Sequence, residues 1–368
     1  MFPIVEVAGK GYERGHQYGR AARSRIERSL ANYAELFGAC GIGWSHVRRL
    51  SRAYDELIRD FDGELHDELR GIAAGSGCDV DDILALNSRT ELLPPTFPEP
   101  PSSAWIADRL REDMDYGECS ALAIAASAST TGQTLLAQNW DWLGSQRDAL
   151  VLLKARRADG SAFVTLTEAG MLAKIGLNDR GFGVCLNVLR SRDDGSAPGV
   201  PVHILLRALL DCGSVDAAIT RIRGLRFAAS SNVLCADTRS DQASIELSPA
   251  GAHVLRGEGA VLCHTNHFLA TQVAEGRAMT PPPSSIPRLE KLHELTESAS
   301  GRFSVADVQR ILSDESAGYF SISRHPDPRM PQLARLETVA SVVMELASAT
   351  MHVAPDIPTR TSYRSISL

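Results

Sequence analysis

Cys119 stands where a long polar stretch meets the first of a series of short apolar runs. A thiol at such a junction can be reached by a substrate, and its thiolate attacks carbonyls even when sparsely populated. A cysteine taken alone is more often a small buried core residue. Here the neighbours shift that balance. One hairpin's length further on, Gln138-Asn139-Trp140-Asp141-Trp142 sets Asp and Asn at a strand end between two tryptophans. Gly181-Phe-Gly-Val-Cys-Leu-Asn187 and Cys263-His264-Thr265-Asn266-His267-Phe268 each end an apolar strand in an asparagine. The amide of such an asparagine can donate to the oxyanion of a tetrahedral intermediate. A metal reading of Cys263, His264 and His267 is weaker. Strand alternation sends Cys263 and His264 to opposite faces, so packing and the positioning of Asn266 are the expected roles, and no metal is predicted. His16 and His203 read as structural histidines. Trp140 and Trp142 read as core anchors, one of which could wall an acyl pocket.

Elements of two kinds must position these residues. Helical periodicity runs over 12–37 and 44–72, and Asp79 can cap a further helix before Ile83. The segment 93–103 then packs in five prolines, which neither continue a helix nor donate to a sheet. From there to Glu118 the chain reads as an exposed loop. After Cys119 the pattern becomes that of strands in a buried, largely antiparallel sheet, at 121–126, 134–138, 150–154, 163–166 and 182–187. Helices are expected at 202–210 and 214–222, then strands at 232–236, 243–247, 253–255 and 261–264. Helices at 288–297 and 304–312 and a strand at 338–346 complete the chain. This order predicts an α+β fold of sheets sandwiched by helical layers and not a parallel βαβ array. A helical first third is thus joined to a β-rich remainder by the proline-rich loop.

The balance of the 368 residues, 44% apolar and 23% charged with a net charge of −7, excludes disordered, collagen-like and coiled-coil classes. Nothing basic is in excess to neutralise phosphates, so no nucleic-acid partner is expected. No apolar run is long enough for a membrane span, and the amino terminus lacks the pattern of a secretory signal. The seven cysteines are scattered without a CxxC pair, which reads as reduced thiols in a cytoplasmic protein. No glycine-rich phosphate cradle occurs, and no cofactor is expected.

Taken in order, the motifs resemble one family. They are Gly11-Tyr-Glu-Arg-Gly-His-Gln-Tyr-Gly, Leu69-Arg-Gly-Ile-Ala-Ala-Gly, Leu86-Asn-Ser-Arg-Thr-Glu, Glu118-Cys-Ser, Gln138-Asn-Trp-Asp-Trp, Gly176-Leu-Asn-Asp-Arg-Gly, His264-Thr-Asn-His-Phe, Ser321-Ile-Ser-Arg-His-Pro and Thr338-Val-Ala-Ser-Val-Val-Met. Each is weak alone. Their shared order resembles the acyl-coenzyme A:6-aminopenicillanic acid acyltransferase (isopenicillin N acyltransferase) family of N-terminal-nucleophile cysteine hydrolases.

The resemblance implies a four-layer αββα sandwich and self-cleavage between Glu118 and Cys119, a zymogen's activation. The fragment 1–118 would stay bound to a catalytic domain 119–368. By the same resemblance, Cys119 is nucleophile and base, Asp141 orients its amine and thiol, Asn266 stabilises the oxyanion with Asn187 assisting, and Arg324 supports Cys119 electrostatically. Two departures stand out. Gln138 occupies the position where choloylglycine relatives carry an arginine, so the cation expected beside the thiol is missing and bile-acid substrates are disfavoured. Glu118 stands where the penicillin enzymes have glycine. The expected function is hydrolysis of a linear amide of a small molecule. Acyl transfer to an amine is the alternative, and an unprocessed binding protein of the same fold is the rival from another class. Oligomerisation is left open.

Overall fold

The computed structural model describes residues 1–94, 119–257, 259–271, 277–297, 301–330 and 332–368. Residues 95–118, which hold most of the segment expected as a proline-rich loop and Glu118, lie outside the described residues. The chain opens with a strand, β1 (Ile4–Gly9), which helical periodicity does not reveal. Seven helices follow: α1 (Gly11–Ala21), α2 (Arg23–Ala39), α3 (Trp44–Ser51), α4 (Asp55–Phe61), α5 (Gly63–Ser76), α6 (Val80–Asn87) and α7 (Arg89–Leu92). The expected continuous helix over 44–72 is broken at Asp62. Its backbone is extended, and its carboxylate accepts from the N–H groups of Glu64 and Leu65, starting α5 afresh. Asp79 caps α6 as expected.

Helices α1 and α5 pack backbone against backbone. Gly11, Gly15 and Gly19 recur every fourth residue on α1, and a Cβ at any of them would come within 2.3 Å of a carbonyl oxygen of Glu64, Glu68 or Ile72. At Gly15 the added carbon would stand 2.0 Å from Glu68 O and 2.9 Å from Ile72 N. Neither atom is the end of a flexible side chain, so the helices must part. Gly15→Ala is therefore expected to destabilise by about 3 kcal/mol or more in chemical denaturation. Gly38→Ala in α2, with nothing within 4 Å of its Cβ, is the control and should be neutral to slightly stabilising.

The remaining strands form two sheets. β2 (Cys119–Ile124), β3 (Leu135–Leu143), β11 (Val261–His264), β12 (Leu336–Glu345), β13 (Thr350–Ala354) and β14 (Arg364–Ser367) build one, in the order β11-β2-β3-β12-β13-β14. The other has the order β1-β4-β5-β6-β7-β8-β9-β10. It comprises β4 (Leu150–Arg157), β5 (Ala162–Glu168), β6 (Ile175–Asn178), β7 (Phe182–Val188), β8 (Ser231–Asp237), β9 (Gln242–Ser248) and β10 (Gly251–Arg256). Every pairing among these strands is antiparallel except that of β1 with β4, which is parallel. The strands β6, β13 and β14 are short or half-polar and were not expected from composition.

β2 and β3 pack across onto β7 and β8, so the sheets lie face to face. On the outer side of the larger sheet lie α1, α8 (Val202–Leu209) and α9 (Val215–Ile222). The smaller is covered by α10 (Ser285–Glu297) and α11 (Val305–Leu312). The result is the four-layer αββα arrangement. Strands β2, β3 and β7 are buried along their whole length, which is why they read as apolar runs without alternation. One hydrophobic core joins the first segment to the rest: Tyr18, Ile26, Tyr33 and Leu36 pack in the same cluster as Val151, Leu166 and Met171. Polar contacts bind the same interface. Fully buried Arg14 donates to Gly9 O, Glu64 and Glu68, and Arg207 of α8 reaches Glu68 at 3.6 Å.

Candidate active site

Cys119 is the first residue of β2 and is register-paired with Trp140 of β3. Only 2% of its surface is exposed. Side chains from distant elements hold it on both backbone sides. Its N–H donates to Asn266 Oδ1 at 2.7 Å. Its carbonyl accepts from Asn187 Nδ2 at 3.1 Å and from Arg288 Nη1 at 2.8 Å. The structure thus brings Cys119, Asn187 and Asn266 together. Asn187 lies in β7 of the opposite sheet and is itself fixed, its Oδ1 accepting from Asn232 Nδ2. Asn266 follows β11; its N–H donates to Ser285 Oγ and its Nδ2 to Val188 O.

Asp141 is placed by a bulge. The pairing of β12 with β3 slips between Thr338 and Ala340, a distortion common beside active sites. Thr338 Oγ1 is thereby set to donate to Asp141 Oδ1 at 2.6 Å. Asp141 Oδ2 has no hydrogen-bond partner among the described residues. Burial raises this carboxyl to about 7, against the pull of Arg288 and the Thr338 hydroxyl. The Cys119 thiol is also pushed up by burial; Lys174 works against that, Asp141's charge adds to it, and a hydrogen bond from Gln138 opposes it again. Arg324 is buried and lies against Thr338: its main-chain N–H donates to Thr338 Oγ1, so its backbone, and not the charge expected to support Cys119, links it through that threonine to Asp141.

Two cations at the site escaped the sequence reading. Arg288, on the first turn of α10, is fully buried. It spans Cys119 O, Ser120 Oγ at 2.9 Å and Asn266 Oδ1 at 2.9 Å. A helix start disfavours a cation, so an arginine there is a signal that something stronger holds it. Lys174 is 3% exposed and sits in Met171-Leu172-Ala173-Lys174-Ile175; a lone lysine in an apolar run is the corresponding clue.

The histidines and Cys263 serve otherwise. His264 Nε2 pairs with Glu246 Oε1 at 2.9 Å, and His267 Nδ1 meets Ser285 Oγ at 2.7 Å, both next to Asn266. Cys263 packs in an apolar cluster with Leu122 and Leu292. No group of three His, Cys, Asp or Glu side chains among the described residues is arranged to hold a metal. Trp140 and Trp142 are both buried core residues. The cavities near Lys154 and Arg156, about 310 Å³, and near Asp55 and His66, about 570 Å³, lie on other surfaces and touch none of these residues. No helix among the described residues is long and apolar enough to cross a membrane.

The layers and this cysteine-centred cluster define an αββα protein with a buried, polar-clamped cysteine at a strand start. Residues 128–358 match the model of the acyl-coenzyme A:6-aminopenicillanic acid acyl-transferase family, and the chain belongs to that family. The family is one of acyl transfer. A relative from Emericella nidulans, the acyl-coenzyme A:6-aminopenicillanic-acid-acyltransferase 40 kDa form, is 26% identical over 301 residues, covering 81% of this chain and 78% of its own. Among solved structures, a mutant of conjugated bile acid hydrolase from Clostridium perfringens is similar with a TM-score of 0.48 and 11% identity, covering 68% of this chain and 92% of that one. Penicillin V acylase from Agrobacterium tumefaciens is similar with a TM-score of 0.48 and 14% identity, over 68% and 86% of the two chains.

Proposed function

We propose that this protein is a self-processing cysteine amidohydrolase that cleaves a linear N-acyl amide of a small molecule. The observation that carries the reading is the double clamp on residue 119, with its nitrogen held by Asn266 and its carbonyl by Asn187 and Arg288. A core cysteine needs no such fixing by buried polar side chains.

In the first step, Cys119 Sγ attacks the carbonyl carbon of Glu118. The peptide C–N bond breaks, the nitrogen of Cys119 takes a proton and becomes an amine, and a thioester remains. Water hydrolyses the thioester, leaving a carboxylate on Glu118 and a free thiol. The new α-amine has a pKa of about 7.7–8.0, suited to accept the thiol proton near neutrality. Asp141 Oδ2 is the open acceptor for that amine, and Asn266 Oδ1 already holds its nitrogen. In turnover the thiolate attacks the substrate carbonyl while Asn266 and Asn187 donate to the oxyanion; the amine leaves with the proton held by the α-ammonium of Cys119, and water then hydrolyses the thioester, releasing the carboxylic acid and regenerating the thiol. Arg324 steadies Thr338 and through it Asp141.

The name of the Emericella relative supports a second reading in which an amine, and not water, resolves the acyl-enzyme. The two are separated by adding an amine acceptor and measuring how product divides. N-terminal sequencing of active protein tests the whole proposal. Two chains are expected, one beginning at Met1 and the other at Cys119, with turnover on a panel of N-acyl amino acids and acyl amines. A single uncut chain with full turnover would remove self-processing, and one that binds such amides without turnover would favour the binding protein.

A further inference from the structure

Lys174 lies in the link between β5 and β6 with its Nζ 3.6 Å from the centroid of the Trp140 ring and 5.8 Å from that of Trp142. Trp140 is the register partner of Cys119. Paired residues share a face of the sheet, so the ammonium stands on the side from which the thiol projects. The two groups feel each other: the lysine's charge favours the thiolate, and the thiolate favours the ammonium.

The ammonium is held from behind. Glu168 Oε2 lies 3.8 Å from Nζ, and Arg89 Nη2 meets both Glu168 oxygens at 3.3 Å. The Tyr33 hydroxyl also donates to Glu168. Burial alone would favour protonating Glu168, but Arg89 and Lys174 outweigh it and hold the carboxyl down at about 2. His203, facing the same cluster from α8, is driven by burial and these cations down to about 3 and is neutral. Arg89 and Lys174 thus share Glu168, with Glu91 also acting on Arg89. Burial pulls Lys174 to about 7, with Glu168 opposing. Around the thiol the other facing groups are Asp141 and Cys185, with Arg288 acting on Asp141.

We propose that Lys174 is the counter-ion of the Cys119 thiolate, supplying from the opposite sheet the positive charge that Gln138 does not. This rests on reading Cys119 as the nucleophile. Lys174 acts in its ammonium form, which Glu168 and the thiolate both favour against burial, and it does not carry the thiol proton; that proton goes to the α-amine of Cys119 once cleavage has freed it. Its carboxylate partner is in turn set by Arg89 and Tyr33 from the first segment of the chain, so that segment contributes to the electrostatics of the nucleophile. Lys174 is a positioning residue, and it acts by charge.

The test is the pH dependence of Cys119 alkylation by iodoacetamide, followed by peptide mass in the full protein. Lys174→Met is expected to raise the half-maximal pH by about 1 unit or more and to slow alkylation about tenfold at pH 7. Lys174→Arg should recover most of the rate. Glu168→Gln removes the anion that keeps Lys174 protonated and should raise the midpoint in the same direction. An unmoved midpoint in Lys174→Met would overturn the proposal, and if that variant does not fold, an unmoved midpoint in Glu168→Gln does so. The assay reads the thiol itself, so a shifted midpoint in a protein that neither cleaves nor turns over would uphold the ion pair and overturn the amidohydrolase instead.

Discussion

Cys119→Ala is expected to yield one uncut chain of 368 residues with no measurable turnover. Removing a nucleophile from a concerted site costs on the order of 10⁶-fold in kcat, and here the same atom is proposed to open the 118–119 bond. Both activities should vanish together. The fold should survive, because the change deletes one sulfur from a buried position at a cost of about 1 kcal/mol. Intact mass and a thermal melt distinguish loss of chemistry from loss of structure. Cys119→Ser should cut slowly and turn over poorly, since a hydroxyl is the weaker nucleophile. A terminus at position 119 in the alanine variant would assign the cleavage to another agent.

Arg288→Met has the second largest expected effect. The guanidinium donates to Cys119 O, Ser120 Oγ and Asn266 Oδ1 at once, in full burial. Methionine fills similar space but takes a donor from three buried acceptors; Cys119 O keeps Asn187 and Asn266 Oδ1 keeps the Cys119 N–H, while Ser120 Oγ loses its described donor, at about 1–3 kcal/mol. Cys119 and Asn266 lose their common brace, and Asp141 loses the charge that opposes its protonation. A fall in kcat of about 100- to 1000-fold is expected, with slower self-cleavage and a lower melting temperature. Arg288→Lys should not restore activity, because one ammonium cannot reproduce the planar fork. Wild-type cleavage and kcat in Arg288→Met would remove Arg288 from the site.

The fold was legible where burial dominates. The runs that became β2, β3 and β7 are apolar because both faces are covered, and no alternation was needed to find them. The strands β1, β6, β13 and β14 escaped because they are short or half exposed, and their pairing is decided by partners far along the chain. For the site, Cys119, Asn187 and Asn266 were found as polar residues at strand ends, a local signal. Arg288 and Lys174 were missed because what makes them important is tertiary. One is drawn to a strand start and the other to a tryptophan in the facing sheet, and neither neighbour is near in sequence. The absent cation at Gln138 is legible as a gap in the sequence, whereas the proposed counter-ion, Lys174, comes from another element and is visible only in space.

The parallel pairing of β1 with β4 has a consequence for the life history of the molecule. While the chain is continuous, the opening strand and its helices are tethered near their berth at a high effective concentration. The proposed cut removes the tether but not the contacts. Assembly is then a one-way journey: the precursor can fold by itself, whereas unfolded mature protein must bring two separate polypeptides back together, at a rate that depends on dilution.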